Sequence, residues 1–251
     1  MSAEKGVALI LRTVDFSETS LVLTVFTREC GKLGMLAKGG RRLKGPFDSA
    51  LDLLALCRIV FLHKSSESLD LLTEAKLIRR FRPPGHDLRP LYAGYYVAEL
   101  LRELTDENDP HPDLFDLAEG TLAGLAAGEP VGRLVVRFEL VALRLLGHAP
   151  QLTECIECGN HVPMNGRVAF ALSDGGVVCP KHRGGKRHVA AVTPGMLQAM
   201  KQMTDADGHA WRHLPLDGRT LGEMRGVLNQ YVSHLVGKRP RMHAYLGNLA
   251  E

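Results

Sequence analysis

The sequence predicts an α+β protein with more than one domain: an N-terminal barrel of five strands and an α-helical C-terminal domain interrupted by a zinc-finger-like module. Three observations predict it. Apolar residues alternate with polar ones over about the first eighty positions, helical periodicity replaces this alternation after Pro83, and paired Cys and His ligands then interrupt the helical pattern. We expect domains at residues 1–82 and 83–251, with the module at 150–187.

The predicted strands are short and rich in β-branched residues, and turn residues separate them. They cover residues 7–14, 21–27, 33–38, 53–63 and 69–81. Five strands of this length fit a small closed barrel of the oligonucleotide-binding type. A separate β-sandwich is the alternative.

The predicted helices follow apolar stripes with a spacing of three to four residues. Their boundaries carry the usual signals, which are Gly128 and Gly147 at the ends of two helices and Thr193-Pro194 at the start of another. The stripes cover residues 92–104, 115–125, 130–146, a segment from 193 and residues 220–236.

Two pairs of metal ligands give the strongest motif in the chain. Cys155 and Cys158 form one C-x-x-C pair, and Cys179 and His182 form a matching pair about twenty residues later. Four such ligands can close around one tetrahedral ion, and the ion type that this set favours is a structural Zn²⁺. His161 and His188 are the alternative fourth ligands, and three unliganded cysteines are the remaining alternative.

The other two cysteines, Cys30 and Cys57, lie in apolar strand-like contexts and are expected to pack as small residues. An odd total of five cysteines with no secretory signal argues for a reducing compartment. No segment is apolar for long enough to span a bilayer. We therefore expect a cytoplasmic, nucleoid-associated protein with no membrane contact, monomeric until it assembles with partners.

Charge is distributed unevenly along the chain. Residues 1–82 carry fourteen Lys and Arg against nine Asp and Glu, whereas residues 83–150 carry five against eleven. Within the first segment, a glycine-flanked loop concentrates four cations in seven residues: Lys38, Arg41, Arg42 and Lys44. Arg79 and Arg80 extend the candidate surface. Such cations bind phosphates without reading sequence, although a merely solvated basic loop is the alternative.

Enzymatic signatures are missing from the sequence. It contains no G-x-x-x-x-G-K-[ST] loop, no G-x-S-x-G elbow, no H-E-x-x-H pair and no H-x-E triplet of a zinc deaminase. We therefore predict that the protein is not an enzyme.

Taken together, these motifs resemble the RecO family of bacterial recombination mediators along nearly the whole chain. The matching segments are residues 7–12, 15–18, 26–32, 37–42, 150–159, 170–179, 228–235 and 238–246. In one departure, His182 stands where the family usually has a fourth cysteine.

The resemblance implies a function as well as a fold. It implies a protein that binds single- and double-stranded DNA and anneals complementary strands without ATP. With RecR, and in some contexts RecF, it would help to load RecA onto DNA coated by single-strand-binding protein. The competing hypothesis is a protein-interaction scaffold with a structural zinc site and incidental DNA contact.

Overall fold

The computed structural model describes residues 2–42, 47, 50–64, 68–205, 208 and 210–247. The chain divides into two compact units, Met1–Glu129 and Pro130–Glu251. The described residues of the first unit form five strands and two α-helices, and those of the second form three strands and three α-helices.

The five strands of the first unit close into a barrel with the order β1-β2-β3-β5-β4. All neighbouring pairs are antiparallel except β3 and β5, and β4 pairs with β1 to complete the closure. The bounds are β1 (Ser2–Asp15), β2 (Leu21–Thr27), β3 (Gly31–Ala37), β4 (Leu56–His63) and β5 (Asp70–Arg79). The predicted fold class is confirmed.

Alternation of buried and half-buried residues explains why the strands curve around one core. In β3, Leu33, Met35 and Ala37 are buried and belong to the barrel core, while the residues between them are only partly covered. Successive side chains of a strand point to opposite faces, so this pattern gives an apolar interior and an outer face.

Two helices pack against the barrel within the first unit: α1 (Arg89–Leu104) and α2 (Pro112–Ala126). The Lys32 ammonium donates to the Arg102 carbonyl at 2.7 Å and to the Thr105 carbonyl, at the C-terminus of α1. The Arg28 guanidinium makes a two-pronged ion pair with Asp116 of α2, with both N···O distances at 2.9 Å. These two cations therefore stabilise the helices against the β2–β3 hairpin.

The second unit is built on α3 (Val131–Leu145), α4 (Pro194–Asp205) and α5 (Gly218–Val236). A three-stranded sheet in the order β7-β6-β8 lies between α3 and α4 in the chain, with bounds Val168–Ala171 for β6, Gly176–Val178 for β7 and Val189–Val192 for β8. Inside the unit, Glu139 of α3 pairs with Arg225 of α5, and both side chains are almost fully buried.

The bounds of some elements differ from the predicted ones. The fourth strand begins at Leu56 rather than residue 53, because Leu54 has a φ of 63° and cannot continue an extended strand. The predicted division at residue 82 follows the change from strands to helices, whereas packing groups α1 and α2 with the barrel. In the second unit, the structure caps α5 at Asp217, whose carboxylate accepts from the Thr220 amide at 2.8 Å.

Candidate metal centre and basic barrel surface

The four predicted metal ligands converge in the second unit. One sulfur or imidazole nitrogen atom from each of Cys155, Cys158, Cys179 and His182 lies within 4.8 Å of the others. The His182 Nδ1 atom is 3.2 Å from the Cys179 sulfur and 3.7 Å from the Cys155 sulfur. This arrangement could hold one metal ion with three sulfur ligands and one nitrogen ligand.

Backbone hydrogen bonds shape both halves of this cluster. The Gly159 amide donates to the Cys155 carbonyl at 2.8 Å, and Gly159 has a φ of 69°, which favours glycine. In the second half, the His182 amide donates to the Cys179 carbonyl at 3.0 Å. The short C-x-x spacing thus turns each pair of ligands towards one centre.

The electrostatics of the cluster favour a thiolate at Cys155. Burial acts to raise the pKa of Cys155, but backbone amides, led by that of Cys179, together with His182 outweigh it and lower this pKa to about 6. In the same module, the Lys186 ammonium forms two ion pairs, at 2.5 Å from the Glu157 carboxylate and 2.9 Å from the Asp174 carboxylate. Thiolates are the form of cysteine that binds metals.

The alternative histidines lie outside this group among the described residues. His161 is exposed and pairs through its backbone with Glu154. His188 is also exposed, and its carbonyl accepts from the Leu172 amide. The geometry therefore favours His182 as the fourth ligand.

On the barrel, the candidate DNA-binding cations fall into two groups. The first occupies the turn after β3, where Lys38, Arg41 and Arg42 are all exposed. We call this segment the basic turn. Arg41 lies 3.2 Å from the Asp15 carboxylate and also donates to the Ser17 carbonyl at 3.3 Å. Lys44 lies outside the described residues.

The second group consists of Arg79, the last residue of β5, and Arg80, which follows it. Arg79 lies 3.1 Å from Glu119, and Arg80 lies 3.7 Å from Asp52. The end of β3 is level with Leu72 on β5, and the seven residues from there to Arg79 span about 23 Å of strand. Because β3 and β5 are parallel, both groups lie at the C-terminal end of a strand, and the two strand ends are staggered along β5.

Two exposed residues, one on β1 and one in the turn that follows it, were not predicted as site residues. Arg12 is exposed on β1, and Phe16 is 66% exposed in the turn between β1 and β2. In the sequence, residues 15–19 looked like an ordinary turn. The signal that could have singled out Phe16 is a large aromatic residue between polar turn residues.

Comparison with known proteins bears on the whole chain. Residues 1–81 match the family model described as the N-terminal domain of recombination protein O, and residues 85–243 match the model of its C-terminal domain. The chain belongs to the recombination protein O family. The resemblance predicted from the motifs is therefore confirmed.

Individual relatives support the same assignment. A DNA repair protein RecO from Rhodopirellula baltica is 40% identical, over 95% of this chain and 97% of the relative. Proteins of the same name from Anaeromyxobacter dehalogenans strain 2CP-1 and Moorella thermoacetica are 31% and 29% identical, over 99% and 96% of this chain. None of the helices in the described part of the chain is long and apolar enough to cross a membrane.

Proposed function

We propose that this protein is a non-enzymatic mediator of DNA repair and homologous recombination. It binds single- and double-stranded DNA and anneals complementary strands without ATP. With RecR, and in some contexts RecF, it helps to load RecA onto DNA coated by single-strand-binding protein. The observation that carries the proposal is the family match over both halves of the chain, to relatives named as DNA repair proteins.

The barrel supports the DNA-binding part of this proposal. Lys38, Arg41 and Arg42 are exposed in one turn at the end of β3, where their charges can reach phosphate oxygens. Gly39 has a φ of 79°, and Gly40 packs against Ala37 and Leu21. The turn is therefore compact, and its glycines let the protein backbone come close to a DNA strand. Contacts of this kind bind nucleic acid of any sequence.

Annealing requires no covalent chemistry. Two complementary strands repel each other through their phosphates, and a basic surface that screens this repulsion while the bases stay accessible raises the rate of encounter. The same surface releases counterions on binding, so affinity falls as salt rises.

A salt titration tests the role of the basic turn. In Lys38→Ala/Arg42→Ala, we expect weaker binding to single-stranded DNA and a plot of log K against log salt that is shallower by about 1.4, for two lost phosphate contacts. The matched control is Arg58→Ala/Lys76→Ala, which removes two exposed cations that face each other across β4 and β5 of the same barrel. An unchanged slope in the first variant, or an equal change in both, would remove the basic turn from the proposal.

For the metal centre, we propose a single structural Zn²⁺. Bonds of about 2.3 Å to sulfur and 2.0–2.1 Å to nitrogen at a tetrahedral angle separate the two ligand atoms by about 3.6 Å. The Nδ1 atom of His182 lies 3.2 and 3.7 Å from two cysteine sulfurs, so the residues fit this ion. With four protein ligands the ion would cross-link and stabilise the module, and it would have no open coordination position for a substrate.

Metal analysis of the purified protein tests this assignment. We expect about one zinc per chain, lower occupancy in His182→Ala under a competing chelator, and full occupancy in the control His161→Ala. If His161→Ala loses zinc and His182→Ala retains it, the fourth ligand is His161 and not His182. Absence of metal in the wild type would show that the module folds without it.

One observation favours the scaffold alternative. Among the five described candidate cations, Arg41, Arg79 and Arg80 already lie within 4 Å of a carboxylate. If these ion pairs persist against DNA, the surface has less charge to offer. A scaffold would leave labelled oligonucleotides unretarded in a gel at low salt, whereas the proposed function requires a shift.

A further inference from the structure

The outer face of the barrel over β1, β2 and β3 has an apolar strip beside the basic turn. The register pairs Val14 with Val22, and Val22 with Leu36. The neighbouring residues Leu23 and Met35 belong to the core. Because side chains alternate along a strand, Val14, Val22 and Leu36 lie together on the outside.

Only one end of this outer face is covered by a helix among the described residues. Phe26, four residues beyond Val22 on the same face of β2, is fully buried, and its ring centroid is 6.2 Å from that of Phe115 in α2. At the other end, Val14 is 40% exposed and Val22 and Leu36 are only half-buried. The strip therefore faces solvent where it approaches the turn between β1 and β2.

Phe16 stands in that turn, and the backbone around it is held in place. The amides of Phe16 and Ser17 both donate to the Ser20 carbonyl, at 3.0 and 3.3 Å. The Arg41 amide donates to the Thr19 carbonyl at 3.0 Å, which ties this turn to the basic turn. The ring is 66% exposed on this fixed backbone, so its binding to a flat partner does not require the turn to become ordered first.

The charges around Phe16 suit a polyanion. Arg12, Lys38, Arg41 and Arg42 are exposed on β1 and on the basic turn. Of the two acidic residues nearby in sequence, Asp15 is already paired with Arg41, and Glu18 is exposed. A lone exposed apolar residue is ordinary, but an aromatic ring that joins an apolar strip to a set of cations matches the requirements for binding single strands.

We propose that Phe16 stacks on an unpaired base of single-stranded DNA, while the cations of Arg12 and the basic turn hold the adjoining phosphates. This inference rests on the proposed function and deepens it, because it gives the barrel a preference for unpaired over paired strands. In a duplex the bases are stacked on one another, and Phe16 has no free base face to contact.

The test compares three proteins on three DNA substrates: wild type, Phe16→Leu and Phe16→Tyr on a single strand, the same strand with abasic sites, and a duplex. Phe16→Leu keeps an apolar side chain without the ring, and Phe16→Tyr keeps the ring. We expect Phe16→Leu to bind the single strand roughly tenfold more weakly, the loss of about one stacked base. Duplex affinity and the salt slope stay unchanged, and Phe16→Tyr binds like the wild type.

Abasic DNA distinguishes stacking from other causes. The wild type should bind the abasic strand more weakly than the intact strand. Phe16→Leu should bind the abasic strand about as tightly as the wild type does, because the base on which Phe16 would stack is absent. Ile78→Thr, which changes an exposed apolar residue on β5, should behave like the wild type throughout.

Each outcome bears on the inference. If Phe16→Leu binds the single strand as the wild type does, or weakens single-strand and duplex binding equally, Phe16 does not stack on bases although the proposed function stands. If the wild type binds no DNA, the inference and the proposed function fail together.

Discussion

The buried ion pair between Glu139 and Arg225 offers the most demanding test of how the second unit is held together. It joins α3 to α5, and the two side chains are 0% and 7% exposed. Glu139→Gln removes the carboxylate charge that faces the buried Arg225 guanidinium. Measured cases of this kind cost about 3–5 kcal/mol, so we expect Glu139→Gln to lower the free energy of unfolding by that amount.

Trp211 makes the measurement direct. It is the only tryptophan of the chain, it is buried in the second unit, and the Arg212 guanidinium lies 4.5 Å from the centre of its ring. Urea unfolding followed by its fluorescence should show a midpoint lower by about 2–3 M, for a slope near 1.5 kcal/mol per M.

A double variant separates the cost of an isolated charge from lost packing. Glu139→Leu combined with Arg225→Met removes both charges and keeps apolar volume, and we expect it to recover most of the lost stability. A change below about 1 kcal/mol in Glu139→Gln, or a double variant as unstable as the single one, would refute the reasoning.

Two further predictions concern a buried histidine and the glycine that begins β3. Burial lowers the pKa of His243 to about 4, helped by the charges of Arg225 and Arg239, so the unfolded chain binds a proton below about pH 6.5 that the folded chain refuses until about pH 4. Stability should therefore fall by up to about 3 kcal/mol as pH drops through this window; His243→Gln should flatten the dependence in urea titrations and the exposed His213→Gln should not, whereas equal slopes would contradict the assignment. Gly31 has a φ of 72°, and a Cβ there would lie 2.0 Å from the Asp109 carbonyl oxygen; Gly31→Ala should cost at least about 3 kcal/mol by circular dichroism melting, against about 1–2 kcal/mol for Gly85→Ala, which has a φ of 75° and open space around it, and equal costs would exclude the clash.

Local patterns explain why so much of the barrel could be predicted. The alternation of Leu33, Met35 and Ala37 reads directly as one face of a strand, and the same rule locates the other strands. The point where a strand begins is harder to predict. Leu54 is a residue type common in strands, but its backbone is left-handed, so β4 begins only after it.

The cluster of candidate metal ligands could be predicted for a different reason. Cys155 and Cys158 form one turn through backbone hydrogen bonds between near neighbours, so their spacing alone determines the geometry. The choice between His182 and His161 depends on how two distant segments meet, which requires the folded chain.

The roles of several cations could not be predicted from the sequence. Lys32 and Arg28 look like surface charges in an otherwise basic segment, but they bind the end of α1 and a carboxylate of α2. Arg79 and Arg80 are predicted to extend the surface that includes Lys38, and the structure adds that they lie within 4 Å of the Glu119 and Asp52 carboxylates. Only long-range packing distinguishes a cation that stabilises the fold from one that is available to phosphates.

The rate at which complementary oligonucleotides anneal tests the central claim most directly. With no nucleotide present, the wild type should accelerate annealing at low salt, lose that effect as salt rises, and lose most of it in Lys38→Ala/Arg42→Ala but not in Arg58→Ala/Lys76→Ala. An annealing rate equal to that of DNA alone, at low salt and with excess protein, would contradict the account.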